Sequence, residues 1–141
     1  MARKYLDEIG CEGGYDPNQD LYTDEDKLEE RRTQFAVERG VYGFDSSETW
    51  NLDTTMLHFL YERLMMLREK GSEFVDYTFH IVEVGGEEKN VAEWMDLMID
   101  SARFAISMAP KIETSEAEQL VIDKTKRVWE IWAVLHPYMW W

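Results

Sequence analysis

Cysteine is almost absent: Cys11 stands alone among 141 residues. It cannot form an intrachain disulfide or a cysteine-based zinc site, and such usage fits a reducing cytoplasm. Basic charge is also short, with 15 Lys and Arg against 29 Asp and Glu, a formal net charge of −14. A protein that grips phosphate backbones needs a basic face, so no direct nucleic-acid partner is expected. An anionic membrane surface is excluded for the same reason. The balance leaves a basic protein partner, or imitation of nucleic-acid charge, beside the ordinary reading of an acidic surface as solubility. Long apolar runs are missing, and no stretch reaches the length of a transmembrane helix. Arg3 and Lys4 are followed by Asp7, Glu8 and Glu12 rather than an apolar run, so no signal peptide is read.

Catalytic signatures are missing too. His58, His80 and His136 have no zinc-like spacing. Ser46-Ser47 with a distant histidine is no nucleophile arrangement. Gly85-Gly86 runs into Glu87-Glu88, which would repel a phosphate, so that pair reads as a turn. No catalytic residue and no cofactor is expected.

What the chain does have is a 45% hydrophobic and 13% aromatic composition, enough to order a core in one domain. Residues 1–23 read as an irregular N-terminal arm, broken by Gly10, Gly13, Gly14, Pro17, Asn18 and Asp20. Tyr5, Leu6, Ile9, Tyr15 and Tyr22 are apolar enough to pack that arm on the rest, and an unstructured tail is the equal alternative. Residues 24–141 read as a single helical domain. Thr23 or Asp24 can cap a charged helix from Glu25 to Arg39 that Gly40 stops, with Leu28, Arg32, Phe35 and Arg39 on one face. The next helix, Thr54–Lys70, takes Asp53 as N-cap and ends at Gly71. Met56, Leu57, Leu60, Leu64 and Leu67 recur at helical spacing, which marks it as the central core helix.

Phe74–Val84 is rich in β-branched and aromatic residues, and Tyr77, Phe79 and Ile81 alternate as in a strand. That segment lies over the helices, folds back as a hairpin, or pairs with a second copy of the chain. Asn90 to Glu93 reads as a capping box. Val91, Trp94, Met95, Met98, Ala102, Ala105 and Met108 then carry a helical stripe to Pro110. Ser115 to Glu118 is a second box, opening a last helix with Leu120, Val121, Val128, Ile131, Trp132 and Leu135 inward, closed by His136-Pro137. The expected fold is all-α: a four-helix, bundle-like domain with one short strand or hairpin inserted.

The stretch Tyr42 to Thr55 holds Gly43-Phe44, a polar run, Thr49-Trp50, then Leu52-Asp53. It resembles an uncharacterised family of small bacteriophage and prophage proteins. In that family a helix with an Arg-Leu motif follows, here Arg63-Leu64. A later Glu-Glu-Trp-Asp helix has a looser counterpart in Glu93-Trp94-Met95-Asp96. The family's closing Leu-Trp-Trp looks like Met139-Trp140-Trp141. The resemblance covers roughly residues 42–70, 92–108 and 126–141; Phe74–Val84 and the first 23 residues depart from it. It implies a phage source, and so the cytoplasm of a bacterial host, but no chemistry.

Trp50 and Asp53 are the first candidates for binding, an indole face to stack on and a carboxylate to accept hydrogen bonds, with Arg63 as a third member. Their plain reading is a ring plugging the start of a core helix and a residue capping it. Tyr138, Trp140 and Trp141 follow a helix-ending proline and would form an aromatic interaction patch if exposed. Packing back on the domain is the alternative. Glu93 and Asp96, with Asp100 one turn on, look like half of a helical magnesium site, but no Glu-x-x-Glu precedes them, and an acidic solvated face accounts for them better.

The leading expectation is a non-enzymatic, phage-encoded protein that blocks or sequesters a bacterial host factor, such as a defence component. The alternatives are a small-molecule sponge for a nucleotide signal with an aromatic pocket, a magnesium-dependent all-α nucleotide pyrophosphohydrolase, and a structural or accessory phage protein. The aromatic terminus and the unpaired strand would also suit a homodimer.

Overall fold

The computed structural model describes residues 4–9, 25–50 and 52–140, without the side chains of Asp7, of residues 25–28 and of Trp50. The fold is mainly α-helical with one small hairpin, as the hydrophobic periodicity predicts. The elements run α1 (Lys4–Asp7), α2 (Glu25–Tyr42), α3 (Ser47–Trp50), α4 (Leu52–Lys70), β1 (Ile81–Val84), β2 (Glu87–Asn90), α5 (Val91–Met108) and α6 (Ser115–Leu135), with short 3-10 turns after α4, α5 and α6. Tyr15, Tyr22 and Trp141 lie outside the described residues. None of the described helices is long and apolar enough to cross a membrane.

The middle of the core belongs to α5, and this corrects the expectation that the helix before it is central. α5 packs on α4 at one side and α6 at the other. Val91, Ala92, Trp94, Met95, Met98, Ile99, Ser101, Ala102, Ala105 and Ile106 are all buried, an arc too wide for a surface helix. The small residues on that arc let both neighbours approach. α4 buries a narrower face of Leu57, His58, Leu60, Tyr61 and Leu64. Met56, expected inward, is exposed, and Leu67 is only half-buried. From α6, Val128, Ile131 and Leu135 are fully buried, whereas Leu120 is exposed.

Helix ends follow local chemistry, with shifts from the expected positions. The Asn90–Glu93 capping box is formed: Glu93 N–H donates to Asn90 Oδ1 at 2.8 Å, and Asn90 N–H donates to Glu93 Oε2 at 2.9 Å. The second box is displaced by one residue. Thr114 is the cap, accepting from Ala117 N–H at 3.1 Å, because its extended backbone precedes the first turn. Gly40 does not stop α2. The helix runs to Tyr42, and Gly43 ends it with φ of 81°, its N–H returning to Arg39 O at 3.0 Å. Phe35 on α2 is buried outside the main core cluster. The one-turn α1 inserts Tyr5 and Leu6 into that cluster.

The strand begins later than the alternation predicts, and in the opposite phase. Asp76 accepts from Thr78 N–H at 2.9 Å and from Thr78 Oγ1–H at 2.5 Å, curling the chain before β1. Tyr77 is therefore buried while Phe79 and Ile81 face out, and Val82 and Val84 carry the inward face. Gly85 and Gly86, both at positive φ, make the two-residue turn into β2. Glu83 stands opposite Glu88, and Val84 opposite Glu87, so these acids are strand residues rather than loop residues. Trp94 seats the hairpin: its fully buried indole donates Nε1–H to Val82 O at 2.8 Å. Lys89 and Arg127 flank the ring at 5.7 and 5.5 Å.

Candidate functional site

Gly71 begins the construction of the most distinctive surface. It is buried, and a Cβ there would collide with the Tyr77 hydroxyl. Only glycine lets the chain pass so close to that ring. Phe74 and Val75 both donate their N–H groups back to Gly71 O at 2.9 Å, which turns the segment out over the end of the bundle. Ala92 N–H then holds Tyr77 O at 3.0 Å, and Val91 N–H holds His80 O at 3.2 Å. The Tyr77 hydroxyl donates to Trp140 O at 2.9 Å and so fastens the end of the described chain to the same place. Burial pushes the Tyr77 phenol up from its ordinary pKa, so it remains a donor.

The result is a shallow recess of about 330 Å³ between the loop after α4 and the turn after α6. Phe74, Phe79, Tyr138 and Trp140 line it, and His80 joins them, edge-on to Phe79 at 5.0 Å and tilted against Tyr138 at 5.5 Å. Phe79 is 77% exposed, Phe74 71% and Trp140 64%, with Ile81 also exposed nearby in the chain. Met139 is half-buried against the core, so the terminus is anchored at one residue and presents the next. The Asp76 carboxyl at the rim is held below the usual carboxylate range by the Thr78 hydroxyl and N–H, and stays charged at neutral pH. Sequence reasoning found Tyr138 and Trp140 but treated Phe74 and Phe79 as strand residues. The signal for them was the Asp76-Thr78 turn, which breaks the strand before Phe79.

The remaining candidates are not brought together. The Trp50 side chain and Trp141 lie outside the described residues. Asp53 is not an N-cap: α4 already starts at Leu52, so Asp53 sits in the first turn, exposed. Arg63 lies ten residues further on, roughly 15 Å along the helix axis. Its guanidinium covers the Phe59 ring at 3.3 Å and donates to Phe59 O at 3.1 Å. The structured part of the Gly43–Trp50 stretch is instead the turn before α3. Asp45, 4% exposed, accepts from Ser47 N–H at 3.0 Å, from the Ser47 hydroxyl and from Arg39. Glu48 returns to Asp45 N–H at 2.9 Å, and Glu38 accepts from Ser46 N–H at 2.6 Å. That Ser46 contact, with one from Gln34, lowers the Glu38 pKa. The chemistry of this turn is capping and scaffolding.

Glu93 and Asp96 are likewise committed. Glu93 completes the capping box, and Asp96 takes Arg68 through two contacts of 2.8 and 3.4 Å. Among the described residues, no group of three or more His, Cys, Asp or Glu side chains could hold a metal ion. Comparisons with protein-family models, with curated proteins and with solved structures found no match.

Proposed function

We propose that this chain is a non-enzymatic binding protein that docks on a basic protein through its aromatic patch and blocks it. The observation that carries the reading is the recess of Phe74, Phe79, Tyr138 and Trp140, exposed on a molecule of net charge −14. Clustered exposed aromatics are the composition of interaction surfaces, and Trp and Tyr dominate their binding energy. The partner is basic because like charge opposes a second acidic copy, while Asp76 at the rim favours an incoming Lys or Arg. Commitment of Glu93 and Asp96 to other partners supports a binding rather than a catalytic role. The resemblance of residues 42–55 to small phage proteins supports a bacterial host factor as the target, met in the host cytoplasm.

The test is capture from bacterial lysate with the full chain, beside Phe79→Ser and Trp140→Ser variants of matched melting temperature. The expected result is a basic protein retained at about 50 mM salt, released by about 500 mM, and lost in both variants. Hydrogen exchange in the complex should protect Tyr77–Ile81. Retention by both variants, or light scattering that shows the free chain already dimerised through this patch, would overturn the proposal.

A further inference from the structure

A second recess lies at the other end of the bundle. The aromatic patch touches α5 at Val91, whereas this cleft touches it at Ile106, roughly 22 Å further along the axis. Three helices form it: the first turns of α4, the last turn of α5 and the middle of α6. Its volume is about 300 Å³. Ligand pockets run from about 300 to 1,000 Å³, so this one suits a single ring with a head group and is too small for a dinucleotide.

The lining has two parts. Leu57 and Ile106 are buried at its base, and Trp129 offers a half-buried indole for stacking. Asp53 from α4 and Lys126 from α6 line the same cleft with opposite charge, both exposed. Among the described residues neither forms an ion pair or a side-chain hydrogen bond. They therefore stand more than 4.0 Å apart, on two helices that flank a base which is mostly apolar but includes the buried His58. A ligand with both charges on a short head and an apolar body matches each part. An anion alone would meet Asp53, and a cation alone would meet Lys126.

We infer that this cleft binds a small aromatic zwitterion, chemically a free aromatic α-amino acid. The ammonium group pairs with Asp53, the carboxylate with Lys126, and the ring lies against Trp129 over Leu57 and Ile106. The site is independent of the aromatic patch and of its protein partner.

The probe is L-phenylalanine, titrated into the full chain and followed by backbone amide NMR. Two single-charge analogues, 3-phenylpropionate and phenethylamine, serve as controls. L-phenylalanine should shift amides of Leu57, Ile106 and Trp129, and each analogue should bind about tenfold more weakly, as expected when one charged contact is lost. Asp53→Asn and Lys126→Met should each weaken L-phenylalanine about tenfold with the melting temperature unchanged, since both side chains are exposed and unpaired. No amide shift up to the solubility limit overturns the inference. So does equal binding of either analogue, or undiminished binding by both variants.

Discussion

Asp45 is the one carboxylate among the described residues that is buried, and its donors explain how it stays there: Ser47 N–H, the Ser47 hydroxyl and Arg39. Asp45→Ala removes the cap of α3 and leaves those donors without their acceptor. It should destabilise the protein by about 0.5–2 kcal/mol, read as a lower thermal midpoint, with Asp45→Asn losing less. Gly71→Ala meets the Tyr77 hydroxyl and should cost about 1–3 kcal/mol by overpacking. Pairing it with Tyr77→Phe, which removes that hydroxyl, should recover part of the loss; strict additivity in the double-mutant cycle would show that the two do not clash. At this scale the sequence is legible where side chain and backbone partner are close in the chain. The Asn90–Glu93 box follows from four adjacent residues. Asp45 had the same signal, an acid three residues before Glu48, but the aromatic Trp50 drew the functional reading away from it. The partnering of Asp96 with Arg68 crosses from one helix to another, and no local pattern announces it.

The first turn, α1, is held by Tyr5 and Leu6 in the core cluster and by one polar contact set. Tyr5 lies in the core cluster and donates its hydroxyl to Glu69 Oε2 at 2.8 Å, with Lys4 3.5 Å from the same carboxylate. Burial first, and then the Glu69 hydrogen bond and charge, push the Tyr5 phenol up from 10.0 to about 12. A raised value means the folded state prefers the protonated phenol. That contribution is complete below pH 10 and is lost between pH 10 and about 12. Glu69 runs the other way: the Tyr5 hydroxyl, then Lys4, lower it below 4.5, so its contribution is present above that value and fades as acid titrates it. That contact should accordingly weaken at both extremes, seen as shifts of the Tyr5 ring and Glu69 side-chain resonances, while those of the buried α5 residues stay fixed. In the hairpin, Glu83 faces Glu88 across the strands, a like-charged pair on the exposed side. Glu88→Lys should stabilise by about 0.2–1 kcal/mol, measured by chemical denaturation. The hairpin itself was readable from Gly85-Gly86, but its register was not. A period of two leaves both phases open until a buried partner chooses. Here Trp94 chooses, by taking Val82 O.

For the molecule as a whole, a net charge of −14 dominates behaviour in dilute salt. Self-repulsion disfavours the compact state, so raising salt from about 20 to about 300 mM should raise the melting temperature and leave the enthalpy little changed. A flat response would mean that local ion pairs already balance the field. Fold class was legible at this scale because the stripes of α5 and α6 are strong and long. The rank order of the helices was not: α4 and α5 have similar lengths, and only packing shows that α5 has neighbours on both sides. The contrast between two of the six tryptophans has a practical consequence. Trp94 is fully enclosed between two cations and a carbonyl, while Trp140 stands in solvent. With the other five changed to Phe, each becomes an optical reporter of a different event. Trp94 should emit at short wavelength, resist acrylamide and change only on global unfolding. Trp140 should emit at long wavelength, quench freely, and become shielded when the recess is occupied, so one chain carries separate gauges for its stability and its occupancy.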